Sequence, residues 1–144
     1  MSLLTASRTA QSPLVAEYTF TFGDTAVDTA GAAVDYASAS AATVMVIPLP
    51  PGSTVTGGSV DTPEAWTAAV TVDVGDVTVP DRYTPTPLAA GGLGAKAITP
   101  TGYLNVAGEN IQMTITPAGT QAVGKTTVRI EYVVEGRSCE VQVA

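Results

Sequence analysis

The stretch that decides the fold is "GTQAVGKTTVRIEYVV", Gly119 to Val134. Its opening, Gly119–Thr127, contains the spelling GxxxxGK[ST] of a loop that cradles phosphates, while its second half alternates in the manner of a strand. The two readings exclude each other. A phosphate loop needs a helix to open at the Lys-Thr pair, so that backbone amides at its N-terminus face the anion. After Lys125, however, Val128, Ile130, Tyr132 and Val134 fall on one face, with Arg129 and Glu131 on the other. That is the period of two of a half-buried strand, built from β-branched and aromatic residues. A nucleotide fold would also need parallel strands joined by helical crossovers, and no segment shows a helical apolar stripe of ten or more residues. The segment is therefore expected to be a strand, with "GTQAVGKTT" as a hairpin connection leading into it.

The same alternation recurs upstream. "LVAEYTFTF" sets Ala16, Tyr18, Phe20 and Phe22 against Glu17, Thr19 and Thr21, and Gly23-Asp24 closes it. "ATVMVIPLPPG" is apolar on both faces from Val44 to Ile47, until Pro48, Pro50 and Pro51 remove ladder donors and end a strand at a rim. "STVTGGSV" and "AWTAAVTVDVGD" give the next two strands, the second carrying Trp66, Val70, Val72 and Val74 at even positions, with Trp66 as a core anchor. Residues 75–102, with four prolines, read as a long connection holding one short strand near Lys96 to Ile98. "YLNV", "NIQMTIT" and "CEVQV" complete the set. Two corners, "ITPTG" at Ile98–Gly102 and "ITPAG" at Ile115–Gly119, pair a proline of fixed φ with a permissive glycine.

About eight or nine short strands with almost no helix predict an all-β protein: an antiparallel β-sandwich, jelly-roll-like or immunoglobulin-like in layout. Residues 1–13 are small and polar, lack a sustained period and end at Pro13, so an extended N-terminal arm is expected, followed by one sandwich domain over 14–144. A chain of 144 residues buries roughly 68–70 % of its unfolded surface, enough for one core without a metal or disulfide.

Composition removes whole classes of function. The net charge is -7 with six Lys plus Arg, so a nucleic-acid backbone is repelled and no direct nucleic-acid partner is expected. With no histidine, Ser-His-Asp and Cys-His relays and the usual Cys/His zinc sites cannot be assembled. Cys139, the single cysteine, is read as a small buried thiol in preference to an unactivated nucleophile. Asp24, Asp28 and Asp35 match neither the EF-hand loop nor calcium nonapeptides and read as solvated turn acids. No cofactor and no catalytic residue is assigned, and the protein is not expected to be an enzyme. The start "MSLLTASRTAQSPL" lacks a basic n-region and an apolar run of signal length, and no run reaches the roughly 20 residues of a membrane span. Synthesis and retention in the cytosol, without membrane association, is the resulting expectation.

Contact residues are sought in the arm and the long loop. Leu3, Leu4 and Arg8 are the arm's candidates. In "VPDRYTPTP", Asp81, Arg82 and Tyr83 offer two readings: a contact loop in which Arg82 meets a partner's carboxylate or Tyr83 packs on its surface, or a local Asp81–Arg82 turn with Tyr83 tucked beneath.

The order of "TVMVIPLPPGSTVTGGSV", "VTVPDRY", "AITPTG" and "GKTTVRIEYVVEGRSCEVQV" resembles the small head decoration, or cement, proteins of tailed bacteriophages, over about Ala16 to Val143. These strings are turns and strand ends, with no catalytic signature. The resemblance implies a jelly-roll-like sandwich, assembled as a dimer or trimer, bound to the major capsid protein on the outer surface of the virion head. Residues 1–13 match nothing in that pattern, leaving open whether the arm grips the capsid, a sister subunit or neither. The alternatives are a carbohydrate-binding or host-adhesion sandwich, which would stack exposed aromatics on sugar rings, and a tail or baseplate structural subunit.

Overall fold

The computed structural model describes residues 8–9, 13–135 and 139–140. In chain order the strands are β1 (Arg8–Thr9), β2 (Leu14–Thr21), β3 (Thr25–Val27), β4 (Ala33–Asp35), β5 (Ala42–Ile47), β6 (Ser53–Glu64), β7 (Val70–Gly75), β8 (Leu88–Ala89), β9 (Gly94–Ala97), β10 (Leu104–Asn105), β11 (Ile111–Pro117), β12 (Lys125–Val134) and β13 (Cys139–Glu140). Among the described residues there is no helix, and every strand pairing is antiparallel.

Two sheets carry the fold. The first runs β10-β6-β12-β2, with β9 alongside the later half of β6; the second runs β5-β11-β7-β8. β3–β4 and β1–β13 form separate two-stranded ribbons. The inward side chains of both sheets meet in one cluster, with Phe20, Val60, Val128 and Ile130 from the first and Val72, Val74, Met113 and Ile115 from the second. The period-two reading thus places the core faces of β2, β11 and β12 where burial finds them, as an antiparallel sandwich requires. Between Ile111 and Gln112 the register against β5 slips, so that Ile111 faces Ile47 while Gln112 faces Met45. This bulge lets Val44 and Ile47, three residues apart, both point inward and turns Met45 out.

Five sequence expectations change. β11 pairs with β5 and β7 and β12 pairs with β2 and β6, so Gly119–Gly124 crosses from one sheet to the other and is not a hairpin loop. Trp66 precedes β7 in a connection instead of lying in a strand, although its ring is buried. β2 stops at Thr21, leaving Phe22 37 % exposed. The strand after the proline run continues beyond Val60 to Glu64, and β8 adds a second short strand within the long connection.

Candidate functional site

The Asp76–Tyr83 loop leaves β7 through Gly75, whose position admits no side chain: a Cβ there would lie 2.3 Å from the Val79 carbonyl oxygen. This close approach folds the loop onto its own start. Asp76, 2 % exposed, accepts hydrogen bonds from the Thr78 and Val79 amides at 3.1 and 2.8 Å and from Arg82 Nε. Arg82 then lies over the ring of Tyr103, with its guanidinium carbon 3.5 Å from the centroid, tying the loop to the segment before β10. On the far side, Thr78 donates to Glu109 at 2.7 Å, and Glu109 and Asn105 exchange hydrogen bonds between side chain and backbone. The bond to Asp76 pushes the Arg82 pKa up. Burial, followed by the nearby Asp76 charge, pushes Tyr83 up to about 12.

Of the three residues singled out in this loop, Asp81 alone is exposed. Arg82 pairs with Asp76 and not with its neighbour Asp81, because the turn brings Nε back onto the first carboxylate of the loop. Tyr83 packs in the core at 2 % exposure, so its ring is not on the surface. The exposed part of the loop is Val77, Thr78, Pro80 and Asp81. Asp76 was not visible as its organiser, since its role depends on a backbone reversal that one sequence does not display. Leu3 and Leu4 lie outside the described residues. Arg8 is placed by its backbone, opposite Glu140, and Thr9 opposite Cys139.

The phosphate-loop look-alike is built for packing. Its second glycine, Gly124, has φ 145°, and a Cβ there would lie 2.3 Å from Cδ2 of Trp66. The indole rests on that glycine and donates from Nε1 to Thr126 Oγ1 at 2.8 Å, and Thr126 also shares a 3.1 Å hydrogen bond with Thr62. Thr62 in turn donates to the Ala90 carbonyl at 2.7 Å. Thr126, which would be the metal-binding hydroxyl of a nucleotide site, is fully buried in this network, and Lys125 opens a strand.

The acids between β2 and β5 organise turns. Asp24 accepts from the Thr21 amide, Asp28 from Ala30 and Ala32, and Asp35 from Ala37. Among the described residues no three carboxylates or thiols converge on a metal-sized site.

On the outer face of the first sheet lies a feature that sequence reading missed. A cleft of about 490 Å³ is lined by Asp61, Pro63, Leu93, Gly94, Thr127 and Arg129, among others. Arg129 bridges Glu17 at 2.8 Å and Asp61 at 2.7 Å, and Thr19 and Thr127 share a hydroxyl hydrogen bond across β2 and β12. Glu17 first, then Asp61, raise the Arg129 pKa. Only strand register reveals the cleft: Arg129 stands opposite Glu17, and Thr127 opposite both Thr19 and Asp61.

The aromatic side chains do not form an exposed platform. Phe20, Tyr36, Trp66 and Tyr83 are buried, and Tyr18 and Tyr132 pack against the core. The Tyr18 and Tyr36 hydroxyls share a 2.8 Å hydrogen bond. Tyr103 lies under Arg82, which leaves Phe22 as the most open ring.

No family model and no curated protein matches the chain. Among solved structures, a chain of the cyanophage Pam1 capsid asymmetric unit is similar over 92 % of this chain and 94 % of that one, with a TM-score of 0.60 and 23 % identity. At that identity the likeness is one of fold.

Proposed function

We propose that this protein is a non-enzymatic structural component of a tailed-phage capsid, and more narrowly a decoration protein seated on the outside of the head. One observation carries the reading: its fold runs end to end with a chain of a cyanophage capsid asymmetric unit. The succession of turn and strand strings quoted above agrees with it.

In this reading residues 1–13 are a contact arm and residues 14–144 the body. Its partners are the major capsid protein and sister copies in a dimer or trimer. Leu3, Leu4 and Arg8 of the arm, with the exposed part of the 80–96 loop, supply contacts. A ligand that prefers the closed, expanded lattice stabilises it by its differential affinity, and repetition over many lattice sites multiplies weak contacts. The glycan-binding alternative has less support, because stacking on a sugar ring needs open aromatic faces and, Phe22 apart, the rings are buried, packed on the core or covered by Arg82.

The test is to add purified protein to heads assembled without it and to image the product. Saturable density at one class of outer lattice position, with heads that resist heating better, is expected. Absence of binding, or density confined to the tail, overturns the reading. Deleting residues 2–12 should lower occupancy; full occupancy would remove the arm from the contacts.

A further inference from the structure

The outer-face cleft is large for a surface that does nothing, and its apolar wall is unfinished. Leu93 is 67 % exposed, standing with Pro63 and Gly94 above the Asp61–Arg129–Glu17 ion pairs. At about 490 Å³ the cleft lies within the usual range for sites that take a small ligand or a few side chains. We propose that its occupant is residues 2–7 of a neighbouring copy, "SLLTAS", inserting Leu3 or Leu4 beside Leu93 so that sister subunits exchange their arms.

Three observations select this occupant. The first is chemical: the segment holds two adjacent leucines, and in an extended chain one of them faces any surface it crosses. The second is charge. All the carboxylates of the chain lie after Pro13, whereas the arm carries Arg8 and no acid. The cleft itself sets two carboxylates against one guanidinium, which favours an acid-free segment with a nearby cation.

The third is reach. The ladder between β2 and β12 ends at Leu14 opposite Tyr132, and the next pairing outward along the chain is Arg8 opposite Glu140. Thr127 of the cleft stands level with Thr19. To fill its own cleft the arm would have to return past Leu14 and then follow the five residues from Leu14 to Thr19, a rise of about 17 Å. The chain from Leu3 to Arg8 spans about 17 Å fully extended, which the journey along β2 alone would consume. A neighbour's cleft imposes no such return.

The inference rests on the arm being a contact segment, but its test needs no capsid, so its failure would leave shell binding untouched. In a Cys139→Ser background, Leu4→Cys is placed on one tagged chain and Leu93→Cys on a differently tagged chain, and the two are co-expressed and oxidised mildly. A docked arm holds the thiols at millimolar effective concentration, so the mixed-tag disulfide should form about a thousandfold faster than random encounter allows at micromolar protein. The control replaces Leu93→Cys with Val27→Cys, which is exposed on β3, outside the cleft. Equal rates for the two pairs would overturn the proposal, as would no cross-link. Carrying Leu4→Cys and Leu93→Cys on one chain tests the reach argument: disulfides confined within single chains would refute exchange.

Discussion

Substituting Gly124 by alanine separates a packing role from a phosphate-binding one. The backbone at Gly124 has φ 145°, a region that side-chain-bearing residues occupy at a cost of about 1–3 kcal/mol. The new methyl would sit 2.3 Å from Cδ2, 2.6 Å from Cε3 and 2.7 Å from Cγ of Trp66. The indole cannot simply step aside, because Nε1 is held by Thr126 and the ring packs on Phe20 at a centroid distance of 5.6 Å. Overpacking of this kind costs a further ~1–3 kcal/mol. A total of about 3–4 kcal/mol should lower Tm by about 10 °C in a chain of this length. Urea unfolding followed through Trp66, the only tryptophan, reads both the stability and the displacement of the ring. Gly119→Ala is the internal comparison: the glycine is not in the left-handed region, and its Cβ would meet only the Ala68 methyl at 3.3 Å, so its cost stays below ~1 kcal/mol. Equal stabilities for the two variants, with unchanged Trp66 emission, would refute the packing account.

Asp76→Ala should cost about 3–5 kcal/mol, because it strands the Arg82 guanidinium and two loop amides; a denaturant midpoint within experimental scatter of the parent would contradict this. Thr126→Val removes the acceptor of the Trp66 indole and a partner of Thr62, with an expected loss of ~1–3 kcal/mol that differential scanning calorimetry would register. Alkaline stability tests the burial of Tyr83. Its folded pKa stands at about 12 against an ordinary 10, so the stabilisation is complete below pH 10 and is lost as pH rises towards 12, by at most about 2–3 kcal/mol. Tyr36, raised by burial and by its bond to Tyr18, acts in the same sense. Tyr83→Phe should therefore flatten the fall in stability over that range, and an identical slope would show that Tyr83 does not titrate with unfolding.

The fold was legible wherever one face of a strand meets the core and the other meets water. β2, β11 and β12 announce themselves through alternation because their inner faces are aliphatic or aromatic and their outer faces carry Thr, Glu and Arg. Partnership was not legible: nothing local to Gly119–Gly124 states that the strands on either side belong to different sheets. The two Pro-x-Gly corners show the same limit. Gly102 does adopt positive φ, at 74°, whereas Gly119 does not, since crossing between sheets asks for a different path than turning at a rim. The loop at Asp81–Tyr83 drew attention for its charges and ring, and the residue that shapes it, Asp76, sits at the other end of the same reversal. The cleft was invisible because Glu17, Asp61 and Arg129 are far apart in sequence and meet only through register.

Charge pairing would constrain how such a body holds a shell in the proposed role. The chain carries thirteen acids against six cations, and Arg82 and Arg129 are already engaged by its own carboxylates. Those two guanidiniums are therefore poorly placed to grip a partner's acids. In the proposed role, attraction to a shell subunit would fall instead to exposed aliphatic side chains such as Val77 and to the chain's excess of carboxylates meeting a basic partner surface. The charged contacts among these, on an open rim, are weak and screened by salt. If the protein decorates a head, its single-copy affinity should then fall as ionic strength rises, while retention on an intact lattice should fall much less, because exchanged arms would tie neighbouring copies into one multivalent ligand. Removing residues 2–7 should bring the salt dependence of retention towards that of a single copy. Retention that remained insensitive to salt without the arm would place the cohesion in the body, and the arm would cease to be part of the mechanism.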